Sequence, residues 1–145
     1  MTDDEIHEFL RLRQTMNIAS FGPDGNIHLV AMWYGFLGEN AAFETFTKSQ
    51  KVLNLRRDPR ITVLVEDGDV YEKLRGVEIV GRAVIHEDRD TLMSVAGSVV
   101  ERYFPVENPD DIPMMAEALS TKRVAIEIVP EKIVSWDHGK LGGTY

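Results

Sequence analysis

Short apolar runs of strand length, set apart by turn residues, fill most of this chain, and only four stretches shift to a helical period. The first spans residues 3–13, where Ile6, Phe9 and Leu10, extended by Leu12, make an apolar stripe. Thr2 precedes it as a capping hydroxyl, and Asp3, Asp4 and Glu5 place acids in its first turn. Met16 to Phe21 then reads as a strand, and Gly22-Pro-Asp-Gly25 has the chemistry of a hairpin turn. A second strand runs from Ile27 to Leu37 and turns at Gly38-Glu-Asn40 into a third, Ala41 to Thr47, completing an antiparallel meander.

The period changes again at Ser49 to Arg57, where Val52, Leu53 and Leu55 fall among polar residues and Asp58-Pro59 ends a helix of about two turns. Ile61 to Val65 is a nearly continuous apolar strand. Asp67-Gly-Asp69 turns the chain into a long bent strand, Val70 to Ile85, with Gly76 and Gly81 as points of bulging or close approach. Residues 87–103 and 109–120 read as helices. A strand from Val124 to Val129, Pro130, a short strand through Trp136 and a glycine-rich tail from His138 to Tyr145 complete the chain. With about six strands, peripheral helices and no alternating βα rhythm, the pattern predicts one mainly β domain over 1–145, a six-stranded antiparallel barrel with helices packed outside.

Composition narrows the chemistry. Cysteine is absent, which excludes disulfides, thiolate catalysis and Cys-ligated metal. No run approaches the roughly 20 apolar residues of a membrane span, and the acidic start lacks the order of a signal peptide, so the expectation is a cytoplasmic protein off the membrane. The net charge of −8 argues against nucleic acid as a partner. Yet Lys48, Lys51, Arg56, Arg57 and Arg60 crowd one short segment, opposed only by Asp58. Such a basic island suits a small anionic ligand, or is a solvated helix face.

The chemistry-bearing constellation is the strand-to-helix junction Thr45-Phe-Thr-Lys-Ser-Gln-Lys51. A helix start offers unpaired N–H groups, the hydroxyls of Thr47 and Ser49 add donors, and Lys51 adds a charge; phosphate needs that combination, although a plain cap would look the same. In Ala31-Met-Trp-Tyr34, alternation sends Met32 and Tyr34 to one face and Ala31 and Trp33 to the other, leaving Trp33 open between ring stacking and a core or dimer contact. The segment Ser135-Trp-Asp-His-Gly-Lys-Leu-Gly-Gly143 carries Trp, His and Lys beyond the last strand. The four histidines are scattered, no metal set forms, and no GxSxG, Walker or GxGxxG motif occurs.

Together these pieces resemble the pyridoxamine 5′-phosphate oxidase-like split-barrel flavoproteins, a superfamily that includes the flavin/deazaflavin oxidoreductases of actinobacteria. The run from Phe43 to Val65 is similar to that family's block of strand, Thr, Ser-Arg-Lys, helix, Asp-Pro-Arg and strand; Val77-Glu-Ile-Val-Gly-Arg-Ala83 and the tail with Trp136, Lys140 and Leu141 continue the likeness. The resemblance implies a homodimer with two cofactor sites in the subunit interface. His28, Val30, Ala31, Met32 and Trp33 would lie along the cofactor ring, with Thr45 nearby. Ser49 and Lys51 would bind the phosphate, Thr47 and Val52 would be further cofactor contacts, Lys48 and Arg56 (with Arg57) would meet an acidic tail, and Trp136 and Lys140 would arrive from the partner chain.

Where FMN oxidases of this superfamily carry two arginines and a glutamine, this chain has His28, Gln50 and Gly76. Losing two guanidiniums thins the bidentate grip on a terminal phosphate, while Trp33-Tyr34 resembles the deazaflavin-using branch. The expected cofactor is therefore coenzyme F420, with FMN as the alternative. The expected reaction is hydride transfer to or from a small conjugated substrate. Tyr34, His138 and Lys140 are the candidate proton donors; no catalytic residue stands out. Two alternatives share the barrel: a non-catalytic flavin or deazaflavin carrier, and a haem-binding protein.

Overall fold

Thr2 and Glu5 close a reciprocal capping box that starts α1 (Asp3–Leu10), and Phe9 and Leu10 turn its apolar side inward. The structure, a computed structural model, describes residues 1–12 and 14–142; the ends of the expected first helix and of the glycine-rich tail lie outside the described residues. The strands are β1 (Met16–Phe21), β2 (Ile27–Met32), β3 (Gly35–Leu37), β4 (Asn40–Phe46), β5 (Arg60–Asp67), β6 (Arg75–His86) and β7 (Arg123–Asp137). They form one curled antiparallel sheet in the order β2-β1-β5-β6-β7-β4-β3. This is the expected split barrel, mainly β with peripheral helices.

Among the described residues the strands number seven rather than about six, and the expected second strand breaks after Met32. The side chain of Arg102 supplies the break: its Nε donates to the carbonyl oxygen of Tyr34 (2.8 Å). Beyond it, Phe36 N–H donates to Ser98 Oγ (3.0 Å), and a Cβ on Gly35 would stand 2.6 Å from that same oxygen. Conversely, the two segments expected on either side of Pro130 are one strand. Proline has no N–H to give the ladder, and the register shifts between Val80 and Gly81, where Gly81 faces Pro130. The long strand expected from Val70 starts only at Arg75, since Tyr71–Lys73 winds into a 3₁₀ turn after Gly68, whose φ is +107°.

Met16, Ile18, Phe43, Val63, Val65, Val77, Val124, Ile126 and Ile128 fill the interior. Two helices close its ends. At one, Phe9 and Leu10 of α1 join the core, the Met1 amino group donates to Ser135 Oγ (3.2 Å), and Lys140 pairs with Glu5. At the other, α2 (Gln50–Arg57) contributes Val52 and Leu55, Asn54 Nδ2 donates to Ser20 Oγ (3.2 Å), and Arg57 donates to the carbonyl oxygen of Phe21 (2.6 Å). A six-residue strand separates these ends by about 17–20 Å. Outside, α3 (Arg89–Tyr103) packs Leu92 and Val95 on Ala42 of β4 and Ala125 of β7, and α4 (Ile112–Ser120) lies against α3. Among the described residues no helix is long and apolar enough to cross a membrane.

Candidate functional site

At the end of β4 the chain turns through Thr47 and Lys48 into α2, with Ser49 as an extended N-cap (φ −68°, ψ 153°). The Ser49 side chain caps nothing; its Oγ lies 3.4 Å from Thr45 Oγ1. An uncapped helix start directs its first N–H groups outward with a partial positive charge. Lys51 stands in that first turn. Burial pushes its ammonium below the ordinary lysine value, and the charge of Arg123 pushes it further. Arg123 enters from β7, opposite Phe46, with its guanidinium 4.4 Å from the Phe46 ring centre and Nη1 2.9 Å from Glu44 Oε1. Glu44 is buried; desolvation raises its carboxyl above the usual value despite a backbone hydrogen bond and Arg123. Cations crowded at a hydroxyl-bearing helix start form a nook suited to an oxyanion such as phosphate.

His28 belongs to the same end, across from Ser20 in the β1–β2 ladder. Its Nδ1 is buried without a hydrogen-bond partner, an unspent polar group of the kind a bound ligand satisfies. Along β2 the expected alternation holds: His28, Val30 and Met32 are half-buried, and Ala31 and then Trp33 are exposed.

Some expected participants are otherwise engaged. Thr47 Oγ1 donates to the carbonyl oxygen of Lys122 (3.0 Å), so its proton is spent. Arg56 sits in the last turn of α2 and pairs with Glu87, away from Ser49. Val52 is wholly buried, leaving only its backbone for a ligand, and Lys48 is exposed on the turn.

The remaining candidates gather at the α1 end. Trp33 stacks on Tyr103 (centroids 4.9 Å apart, planes within 3°) with Phe104 at its edge, and stays 47% exposed. Tyr34 is not a surface acid: it is fully buried, donates its hydroxyl to the carbonyl oxygen of Leu10 (2.6 Å), and burial pushes it up to about 12. Lys140 Nζ is 2.7 and 2.5 Å from the two oxygens of Glu5, whose carboxyl those bonds hold down at about 2. His138 Nδ1 donates to the carbonyl oxygen of Tyr71 (2.9 Å). Trp136 lies flat over its cross-strand neighbour Gly76, where an added Cβ would meet ring carbons at 2.3–2.8 Å. Gly76→Ala must therefore displace the indole, at a cost of about 1–3 kcal/mol. A shifted tryptophan emission together with a lower melting temperature is the expected result, and an unmoved spectrum would contradict this packing.

One chain thus brings together Thr45, Ser49 and Lys51, sets His28 across from Ser20, which Asn54 of α2 contacts, and holds Trp33, Trp136 and Lys140 at the opposite end of the barrel. Sequence reasoning missed Glu44, Arg123 and Tyr103. Arg123 could be found only by pairing β4 with β7, far apart in the chain; Glu44 lay inside the quoted block, where it read as one more polar strand position. Among the described residues no group of His, Asp or Glu is arranged to hold a metal ion.

The chain matches the family described as pyridoxamine 5′-phosphate oxidase over residues 2–137. Among solved structures, a conserved hypothetical protein of Mycobacterium tuberculosis is 44% identical, with a TM-score of 0.92, covering 100% of this chain and 90% of its own. An F420 reductase is 26% identical with a TM-score of 0.66, covering 88% of this chain and 94% of its own. HutZ, a heme storage protein of Vibrio cholerae, shares the fold alone: it is 14% identical with a TM-score of 0.69, over 93% of each chain. No curated protein matches.

Proposed function

The chain belongs to the pyridoxamine 5′-phosphate oxidase family, and from that premise we propose that it is an oxidoreductase using coenzyme F420 to pass hydride to or from a small conjugated substrate. The observation that carries the reading is the nook at the start of α2. There an uncapped Ser49 and a partly desolvated Lys51, with Arg123 beside it, present charge and donors to an oxyanion. The resemblance to an F420 reductase, and Gln50 where FMN oxidases of the superfamily carry arginine, favour the deazaflavin over FMN.

When bound, such a cofactor supplies the hydride chemistry. The chain's own residues bind and orient it: Ser49 and Lys51 hold the phosphate, Thr45 lies beside them, His28 offers its unspent Nδ1, and β2 lies along the ring. A second copy completes the site. β2 turns Ile27, Leu29 and Ala31 outward, an apolar stripe that a partner would cover, and the partner would bring Trp136 and Lys140 to the nook they cannot reach within one chain. With Tyr34 buried, His138 and Lys140 are left as groups able to hand on a proton.

Titration with coenzyme F420 and with FMN, followed by absorbance, tests the reading. Saturable binding of coenzyme F420, tighter than that of FMN, is expected from a protein whose solution mass is that of a dimer. If neither cofactor binds, the reading fails. Binding without turnover for any acceptor would make the protein a carrier, and a Soret band in the purified protein would point to haem.

A further inference from the structure

Of the cations in the nook, Arg123 has a defined company. Lys51 stands in the first turn of α2, and Arg123 is held by the Phe46 ring on one side and by Glu44 on the other. A guanidinium has five N–H donors. The bond to Glu44 uses Nη1, and donors on the rest of the fork remain for a ligand. Glu44 itself is enclosed, with only 7% of its side chain exposed. Its negative charge is therefore weakly screened and acts on whatever binds beside Arg123.

We propose that Glu44 and Arg123 make this nook selective for a monoanionic phosphodiester over a dianionic terminal phosphate. The inference rests on the reading of the nook as a phosphate site. With Lys48 exposed on the turn and screened by solvent, the less exposed charges, Lys51 and Arg123 against Glu44, leave a single net positive charge. A phosphodiester carries one negative charge and balances it. A terminal phosphate at neutral pH carries between about 1.5 and 2, so the excess meets a buried carboxylate a guanidinium's width away. Ejecting Glu44 to relieve the repulsion would strand a buried charge, which is costlier than declining the ligand. The carboxylate thus does two things: it fixes the direction of Arg123, and it sets the ligand charge the site accepts.

Calorimetric titration with FMN and with its phosphate methyl diester isolates this effect, because the ring and ribityl chain are identical. The wild-type protein should bind the diester more tightly by about tenfold at neutral pH. Glu44→Gln keeps an oxygen for Arg123 and removes the charge; the preference should shrink to about twofold or reverse. Arg123→Gln should weaken both ligands together. Equal wild-type affinities for the two probes overturn the proposal, even if Glu44→Gln does not fold. So does a ratio unchanged in a Glu44→Gln protein that melts normally. In either case loss of both ligands on Lys51→Ala would leave the phosphate reading standing; if neither probe binds the wild type the inference falls, and the reading falls with it only if coenzyme F420 does not bind either.

Discussion

Replacing Lys51 by alanine should weaken the binding of a phosphate-bearing flavin or deazaflavin by about tenfold to a hundredfold and leave the fold intact. A hydrogen bond to a charged group contributes about 1.5–3 kcal/mol, which is that range of affinity. The structural cost is small for two reasons. Alanine is the best helix former, and the ammonium is already disfavoured in place by burial and by Arg123. The melting temperature should stay within a degree or two of the parent, and a rise would be understandable. Absorbance titration of the variant checks the affinity, and thermal unfolding monitored by circular dichroism checks the fold. An unchanged dissociation constant would return Lys51 to the status of a helix-surface charge.

Arg102→Ala should have the largest effect on stability, about 2–4 kcal/mol. A single guanidinium donates to the carbonyl oxygens of Tyr34, Arg11, Leu10 and Leu12, at 2.8–3.2 Å. Three of those carbonyls lie at or just past the C-terminal end of α1, where a helix leaves its acceptors unpaired. The same group lies over the rings of Tyr34, Phe36 and Tyr103, at 4.5–5.3 Å. Alanine would therefore uncap α1, loosen the link between β2 and β3, and unseat Tyr103 from beneath Trp33. Differential scanning calorimetry should show a fall of several degrees. Arg102→Lys should recover little, since an ammonium cannot reproduce a planar fork aimed at several carbonyls. A loss below about 0.5 kcal/mol would mean that water takes over those acceptors without penalty.

Arg102 also shows why the strand count was not legible in the sequence. Burial keeps alternating straight through the break, with Ala31 exposed, Met32 half-buried, Trp33 exposed and Tyr34 buried, so the local pattern reads as one strand to Leu37. What ends β2 is a side chain far along the chain, and no window of local sequence contains it. The elements punctuated by their own residues were legible. The Gly22–Gly25 turn closes with Gly22 N–H donating to the carbonyl oxygen of Asn26 (2.8 Å), and Asp58-Pro59 stops α2 where expected. The site divides in the same way. Ser49 and Lys51 are adjacent to their helix start and announce themselves, whereas Arg123 and Tyr103 reach their positions only through tertiary pairing. Arg56 is one of five neighbouring positive charges that look like one patch in the sequence, and only the fold shows that it pairs with Glu87.

The position of β7 has a consequence for how the protein is made. Among the described strands it comes last in sequence, yet in the sheet it lies between β6 and β4, and of these strands it alone joins the β3–β4 hairpin to the rest of the ladder. During synthesis, β1, β2, β5 and β6 can pair as they emerge, while the β3–β4 hairpin, with α3 to pack on, must wait for its place in the ladder until Arg123 to Asp137 has left the ribosome. Until then two hydrogen-bonding edges, of β6 and of β4, stand open to other chains. A nascent chain halted before Arg123 would have an assembled half without its keystone. Such a fragment should be a substrate for chaperones and proteases, not a smaller version of the folded protein.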